Sequence, residues 1–192
     1  MNIVASIQAR MNSKRFPGKV LKKIQNKPII QWQIERLQKS KFIKKIVVAT
    51  TTNKKDDDLF NFCKNKLHVD VYRGSEKNVL KRISELVSKY KVDLHVECFG
   101  DSPLVDPLII DNFIRYFKKN KYDFVSNTLE TTYPPGNEIL IYKGSSLIKL
   151  NNKVTAQDPL REHVGFNFTR FRKNFKVKNL RAPKKYFYPE IY

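Results

Sequence analysis

Residues suited to redox, metal-cluster or secretory chemistry are scarce in this sequence. Two cysteines, Cys63 and Cys98, occur in 192 residues, and neither belongs to a C-x-x-C pair. That excludes a disulfide framework; both thiols are expected reduced and partly buried. With three histidines, none at ligand spacing, a structural zinc site has nothing to build on. The six glycines form neither G-x-G-x-x-G nor the P-loop pattern, which sets nicotinamide and P-loop chemistry aside. No apolar run approaches the roughly 18 residues of a membrane span. The opening "MNIVASIQAR" has no basic n-region and no cleavage site, so the cytoplasm is the expected location. Acids are also few: 18 Asp and Glu against 38 Lys and Arg, a net charge of +20. Such a balance suits an anionic partner: nucleotide phosphate, nucleic acid or an acidic surface. Lysine is common along the whole chain, so position says more than the total.

What is present is enough for one core. Apolar residues make up 41%, with 13 Phe and 9 Tyr, and the length suits a single domain. Short β-rich runs alternate with helical periodicity. Strands are predicted over 2–9, 44–51, 69–74, 93–100 and 122–127. Helices are predicted over 28–40, 56–66, 75–90, 107–119 and 158–171. Pro28 and the Asp106-Pro107 pair supply helix starts. Residues 131–143 read as a turn feeding an extended segment, and 174–180 as a last strand. The alternation implies right-handed crossovers and a largely parallel sheet covered on both faces. Ligands of such sheets bind beyond the carboxyl ends of the strands. The loops after the first, second and fourth strands, "RMNSKRFPGK", "TTTNKKDDD" and "GDSPLVDP", should therefore share one edge.

Two of those loops carry opposite charge. "IQARMNSKRFPGKVL" holds Arg10, Lys14, Arg15 and Lys19 and no acid. Guanidinium forks, a lysine and turn N–H groups can hold phosphate; a solvated basic loop reads the same residues without a ligand. Asp101 follows Gly100 at a strand end, where a carboxylate suits Mg²⁺ held against phosphates. A turn residue bonding its own backbone is the plainer alternative. Together the two loops raise the expectation of a nucleoside-triphosphate site.

The order of "IQARMNSKRFPGKVL", "PIIQWQIERL", "IVVATTTNKKDD", "YRGSEKNVLKR", "GDSPLVDPLIID", "YDFVSN", "YPPG" and "REHV" resembles the cytidylyltransferase superfamily, which includes enzymes activating 3-deoxy-octulosonate and nonulosonic acids. The SpsF-like branch of polysaccharide biosynthesis is the nearest in pattern. The resemblance implies an α/β fold, a Rossmann-like three-layer αβα sandwich with a mostly parallel mixed sheet. It implies CTP and Mg²⁺ as ligands, with a sugar hydroxyl attacking the α-phosphorus and pyrophosphate leaving. It assigns catalysis to Arg15, Lys19 and Asp101, with Asp101 as metal ligand. Nucleotide contacts fall on Ala9, Arg10, Ser13, Arg15, Lys19, Thr50, Thr51, Thr52, Asn53, Ser75, Glu76 and Asn78. The sugar falls to Arg161, His163 and Glu138, although His163 also reads as a helix-capping or core-edge residue and Arg161 as pairing in the surroundings of Glu162. Glu97 and Phe99 stand where this branch usually shows arginine and threonine, which puts an acid and a bulky ring beside the phosphates.

Relatives usually continue into a last strand and a segment with a second metal carboxylate. The single domain, 1–192, is expected to lack both and to expose apolar surface near Phe187, Tyr188 and Tyr192. A homodimer is expected, with its contact near residues 131–142 by analogy. Two rivals remain. One is an SpsF-like transferase using a nucleotide-sugar. The other is a non-catalytic binder of nucleic acid or anionic membrane, gripping through Phe166, Phe168, Phe171, Phe175 and Tyr186 among the C-terminal cations. Those aromatics read more simply as core, so nucleic acid is not the expected partner.

Overall fold

In the computed structural model, which describes residues 1–13 and 15–187, a seven-stranded sheet separates two helical layers. The chain opens with β1 (Ile3–Gln8), then a basic loop ending in a short 3₁₀ turn at Lys19–Leu21. A two-stranded hairpin, β2 (Lys23–Ile24) and β3 (Lys27–Pro28), leads into α1 (Ile29–Leu37). Then come β4 (Lys45–Thr51), α2 (Asp57–Asn61), β5 (Asp70–Gly74), α3 (Val79–Lys89), β6 (Leu94–Phe99) and α4 (Pro107–Lys119). The last third adds β7 (Phe124–Ser126), β8 (Leu140–Lys143), α5 (Gly144–Lys153), α6 (Val164–Arg170) and β9 (Val177–Asn179). The sheet order is β5-β4-β1-β6-β8-β7-β9, and β8 alone runs against its neighbours.

Alternation along β1 divides the core. Ile3, Ala5 and Ile7 face α1, α2 and α4, packing with Ile30, Leu59 and Phe113. Val4 faces α3, α5 and α6, packing with Leu80, Leu147 and Phe168. Successive side chains of a strand point to opposite faces, so one buried strand serves both layers. The Asp106 side chain accepts from Leu108 N at 2.8 Å and Pro107 fills the first turn of α4, as the dipeptide predicts.

Three expectations change. Residues 144–153 form α5, which the sequence pattern did not announce. The helix expected over 158–171 splits into a 3₁₀ turn, Pro159–Glu162, and α6, with a break at His163. The helix expected over 56–66 is regular only to Asn61 and widens into a π turn over Phe62–Lys66. Of the stretch expected at a dimer contact, Thr132, Tyr133 and 139–142 are buried within the subunit, because β8 lies inside the sheet. Phe187 is exposed as expected; Tyr188 and Tyr192 lie outside the described residues. Phe168 and Phe175 are buried, with Phe168 stacked 5.2 Å from Tyr142, so they belong to the core and not to a nucleic-acid surface.

Candidate active site

β1, β4 and β6 end together, and the chain stays tied just past them. Ala9 N donates to Ala49 O at 3.2 Å, and Gly100 N to Gln8 O at 2.9 Å. A Cβ at Gly100 would sit 2.9 Å from Ala9 Cβ and 2.9 Å from Gln8 O. Glycine is thus required where the first and fourth loops leave the sheet. The first loop is then folded back on itself. Met11 O accepts from Gly18 N at 2.8 Å, with Gly18 at φ 69°, while Met11 N donates to Asp56 Oδ1 at 2.7 Å. Asp56 is buried, and its other oxygen accepts from Thr51 Oγ1. The second loop therefore fixes the first.

These loops enclose a cavity of about 400 Å³. Arg10, Ser13, Arg15 and Lys19 line it together with Ala9 and Asp101. The Lys19 ammonium is ion-paired with Asp101. Arg10 lies 3.6 Å from Glu76 and 4.0 Å from Glu162, loose contacts that an anion could replace. Arg15 is exposed and has no ion pair among the described residues. The expected meeting of cationic loop and carboxylate on one rim is what the coordinates show.

Other expected residues are placed elsewhere. Thr50 is buried with its hydroxyl unpaired. Thr51 is held by Asp56, and Thr52 N donates to Gly74 O at 3.1 Å on the sheet edge. Asn53 accepts from Lys55 N at 3.0 Å, Ser75 from Asn78 N at 3.1 Å, and Asn78 from Lys81 N at 2.9 Å. Their polar groups close turns and cap helices, and none of these residues lines the cavity; Glu76 does. Glu138 accepts from Gly136 N at 3.2 Å and lines neither this cavity nor its neighbour.

Arg161 is the clearest correction. It is 5% exposed. Its guanidinium donates to Asn78 Oδ1 at 2.9 Å, to Asn151 Oδ1 and O, and to the carbonyls of Val154 and Thr155. A fork so occupied cannot take a substrate carboxylate; it fastens the turn before α6 to α3 and α5. That turn carries Glu162 and His163 to the cavity wall.

The sequence reading missed Arg82. It is 5% exposed and donates to Ser75 O at 2.6 Å and Gln8 Oε1 at 3.1 Å, with Nε buried and unpaired at the cavity. A signal existed: position 82 shares a helical face with Val79 and Leu86, a cation on an apolar stripe.

A second chamber of about 490 Å³ adjoins the first, and Gln8, Phe99, Glu162 and His163 line both. Phe99, the bulky ring of the sequence expectation, thus stands on both chambers. Glu97, the acid expected there, lines the second chamber only. Its Oε2 accepts from Tyr142 Oη. Burial pushes its carboxyl up to about 7, against the pull of Tyr142 and Arg82.

Among the described residues no group of three His, Cys, Asp or Glu could cage a metal. Asp101, with its side chain 47% exposed at the rim, is one of three carboxylates on the cavity, with Glu76 and Glu162. One carboxylate plus substrate phosphates is the usual protein share of a Mg²⁺ site. The donor set therefore fits a metal that arrives with a polyphosphate.

A cytidylyltransferase family model matches residues 4–191. The chain belongs to the cytidylyltransferase family. This makes it a nucleotidyltransferase by class and accounts for a cation-lined edge in place of a glycine-rich phosphate loop. Among curated relatives of this cytidylyltransferase, the spore coat polysaccharide biosynthesis protein SpsF of Bacillus subtilis is 29% identical over 98% of this chain and 79% of its own. A 3-deoxy-manno-octulosonate cytidylyltransferase of Geobacter sulfurreducens is 34% identical over 62% of this chain and 47% of its own. Among solved structures, a cytidylyltransferase from Leptospira borgpetersenii superposes with a TM-score of 0.88 at 32% identity, covering 97% of this chain and 80% of that one. The Rossmann-like nucleotidyltransferase fold is shared with them. No helix among the described residues is long and apolar enough to cross a membrane.

Proposed function

We propose that this protein transfers the cytidylyl group of CTP to the anomeric hydroxyl of a sugar acid, in the cytoplasm, for a surface polysaccharide. The observation that carries the reading is the cavity where Arg10, Arg15 and Lys19 face Asp101 on the carboxyl edge of the sheet. In the reaction the acceptor oxygen bonds to the α-phosphorus, the bond to the β-phosphate bridge breaks, and pyrophosphate leaves. The hydroxyl proton is released. Charge grows on the phosphate oxygens as this happens, and preorganised cations stabilise it without reorganising. Arg10 and Arg15 would bind those oxygens, and Lys19 would exchange part of its contact with Asp101 for them. Mg²⁺, when bound, would supply Lewis-acid stabilisation beside Asp101. Arg82, buried beneath, would hold Gln8 and the cavity floor in place. His163, at the passage between the two chambers, would contact the acceptor near its attacking hydroxyl.

A nucleotide-sugar transferase would use the same loops. Calorimetry with CTP, UTP, ATP and GTP in Mg²⁺, followed by pyrophosphate release with 2-keto sugar acids, separates them. CTP-selective, metal-dependent binding with pyrophosphate release supports the proposal. Binding of nucleotide-sugars but not CTP removes it.

A further inference from the structure

The edge of the sheet opposite the candidate active site carries mostly one sign of charge. The amino ends of β4, β1, β6, β7 and β9 lie there, with the carboxyl end of β8. Backbone hydrogen bonds join them in a row. Lys44 N donates to Ile3 O at 2.8 Å, Asp93 N to Asn2 O at 3.0 Å, and Gly144 N to Asp93 O at 2.9 Å. Lys143 N donates to Asp123 O at 2.9 Å, and Asp123 N to Lys176 O at 2.9 Å. Six strands at the usual spacing make a row about 24 Å long. The stretches entering β4, β6, β7 and β9, residues 38–45, 89–93, 118–123 and 171–176, hold twelve Lys or Arg and two Asp. All twelve cations are exposed. Among the described residues only Lys45 of the twelve is ion-paired, with Asp70 at 2.7 Å. The two acids are already occupied: Asp93 accepts from Asn2 N at 2.6 Å, and Asp123 from Lys176 N at 2.8 Å and from Ser146 Oγ.

A cavity of about 900 Å³ opens on this edge, and Lys91, Lys118, Lys121 and Lys143 line it with Tyr122. Half-buried rings stand among the lysines. Lys45 and Lys89 lie 5.5 Å and 5.8 Å from the Tyr90 ring, and Lys118 lies 5.3 Å from Phe42. Tyr122 stacks on Tyr116 at 6.0 Å. Amphipathic rings flanked by long cationic stems suit the boundary between water and lipid. Eleven of the twelve cations are Lys. A hydrated point charge suits a diffuse negative surface, whereas nucleic-acid readout favours the arginine fork. We propose that this edge docks the protein on an anionic phospholipid bilayer, with lipid phosphates held in the lysine-lined cavity. The carboxyl edge then faces away from the bilayer, and its cavity stays open to dissolved ligands. Docking is independent of which nucleotide that other edge takes. Each lysine near such a surface is worth about a fivefold change in binding.

The test is co-sedimentation with vesicles of phosphatidylcholine, alone or mixed with phosphatidylglycerol, at physiological ionic strength. The full chain should bind the mixed vesicles only, and added salt should release it. Replacing Lys44, Lys91, Lys121 and Lys143 together by Gln should weaken binding at least about hundredfold. Replacing Lys23, Lys149, Lys153 and Lys184 by Gln gives the same net charge and should change binding by less than about fivefold. These positions are all exposed, so both variants should fold. Equal losses in the two variants would mean that total charge acts, and would overturn the proposal. So would failure to bind the mixed vesicles, or tighter binding to duplex DNA or single-stranded RNA at the same salt. A second measurement uses Tyr122→Trp with brominated lipids. The emission added by the new ring should be quenched on the mixed vesicles; unquenched emission would overturn the proposed orientation.

Discussion

The Lys19 ammonium is ion-paired with the Asp101 carboxylate, bringing together two loops 82 positions apart in sequence. Each group neutralises the other. The pair thus joins the two loops at the cavity rim without burying a charge.

Removing either sign should stop chemistry and spare the fold. Asp101 is nearly half exposed and Arg15 is exposed, so their loss should cost less than ~1 kcal/mol of stability. Asp101→Ala and Arg15→Ala should each lower turnover by ~10²–10³. Pyrophosphate release and thermal midpoints check this together; a near-normal rate in either variant takes that residue out of the site.

Arg161 should behave in the opposite way. Arg161→Ala leaves Asn151 Oδ1 and the carbonyls of Val154 and Thr155 without their donor, which should cost ~2–4 kcal/mol. Arg161→Lys should recover little, since an ammonium cannot span those acceptors. Denaturant unfolding measures the loss. Wild-type stability with impaired acceptor binding would restore Arg161 to the substrate.

Stability should vary with pH through two buried groups of opposite sense. The Glu97 carboxyl moves from its ordinary 4.5 up to about 7 through burial. In that window the folded chain holds a proton the unfolded chain has lost, so stability falls as pH rises. Burial lowers His95 from 6.5 to about 3. There the unfolded chain takes up the proton first, so stability falls as pH drops below 6.5. The slopes oppose each other over the shared range. Glu97→Gln removes one of them, and its stability relative to wild type should climb from pH 4.5 to about 7 and then level off. Parallel pH profiles of denaturant midpoints would mean that Glu97 titrates as an ordinary carboxylate.

Gly100→Ala should weaken fold and site at once. The added methyl meets Gln8 O and Ala9 Cβ at 2.9 Å, backbone or near-backbone atoms that cannot swing away. A stability loss of ~1–3 kcal/mol is expected, with weaker CTP binding because both loops leave from this point. A variant with unchanged CTP affinity would show that the loops are positioned independently of the strand ends.

Much of the layered fold was legible because local chemistry repeats. The apolar runs of β1, β4 and β6 and the stripe of α3 announce themselves at periods of two and 3.6. Segment 144–153 did not: "GSSLIKLNNK" opens with small polar residues, and its helix is fixed by packing Leu147 and Leu150 on the sheet. The break at His163 was equally silent, since neighbouring Arg161 is held by Asn78 and Asn151, which lie far outside the segment.

The sequence by itself determined which charges stand at strand ends, and hence that a cationic loop and Asp101 share an edge, because parallel crossovers send every such loop to the same side. Only the tertiary structure decided which polar groups are free to act. Arg161, Asn78 and Thr51 look like ligands along the chain, yet they are committed to partners that come within reach only when helices and loops pack. Arg82 and Glu97 look like interruptions of apolar runs, and the same packing leaves them facing the two chambers.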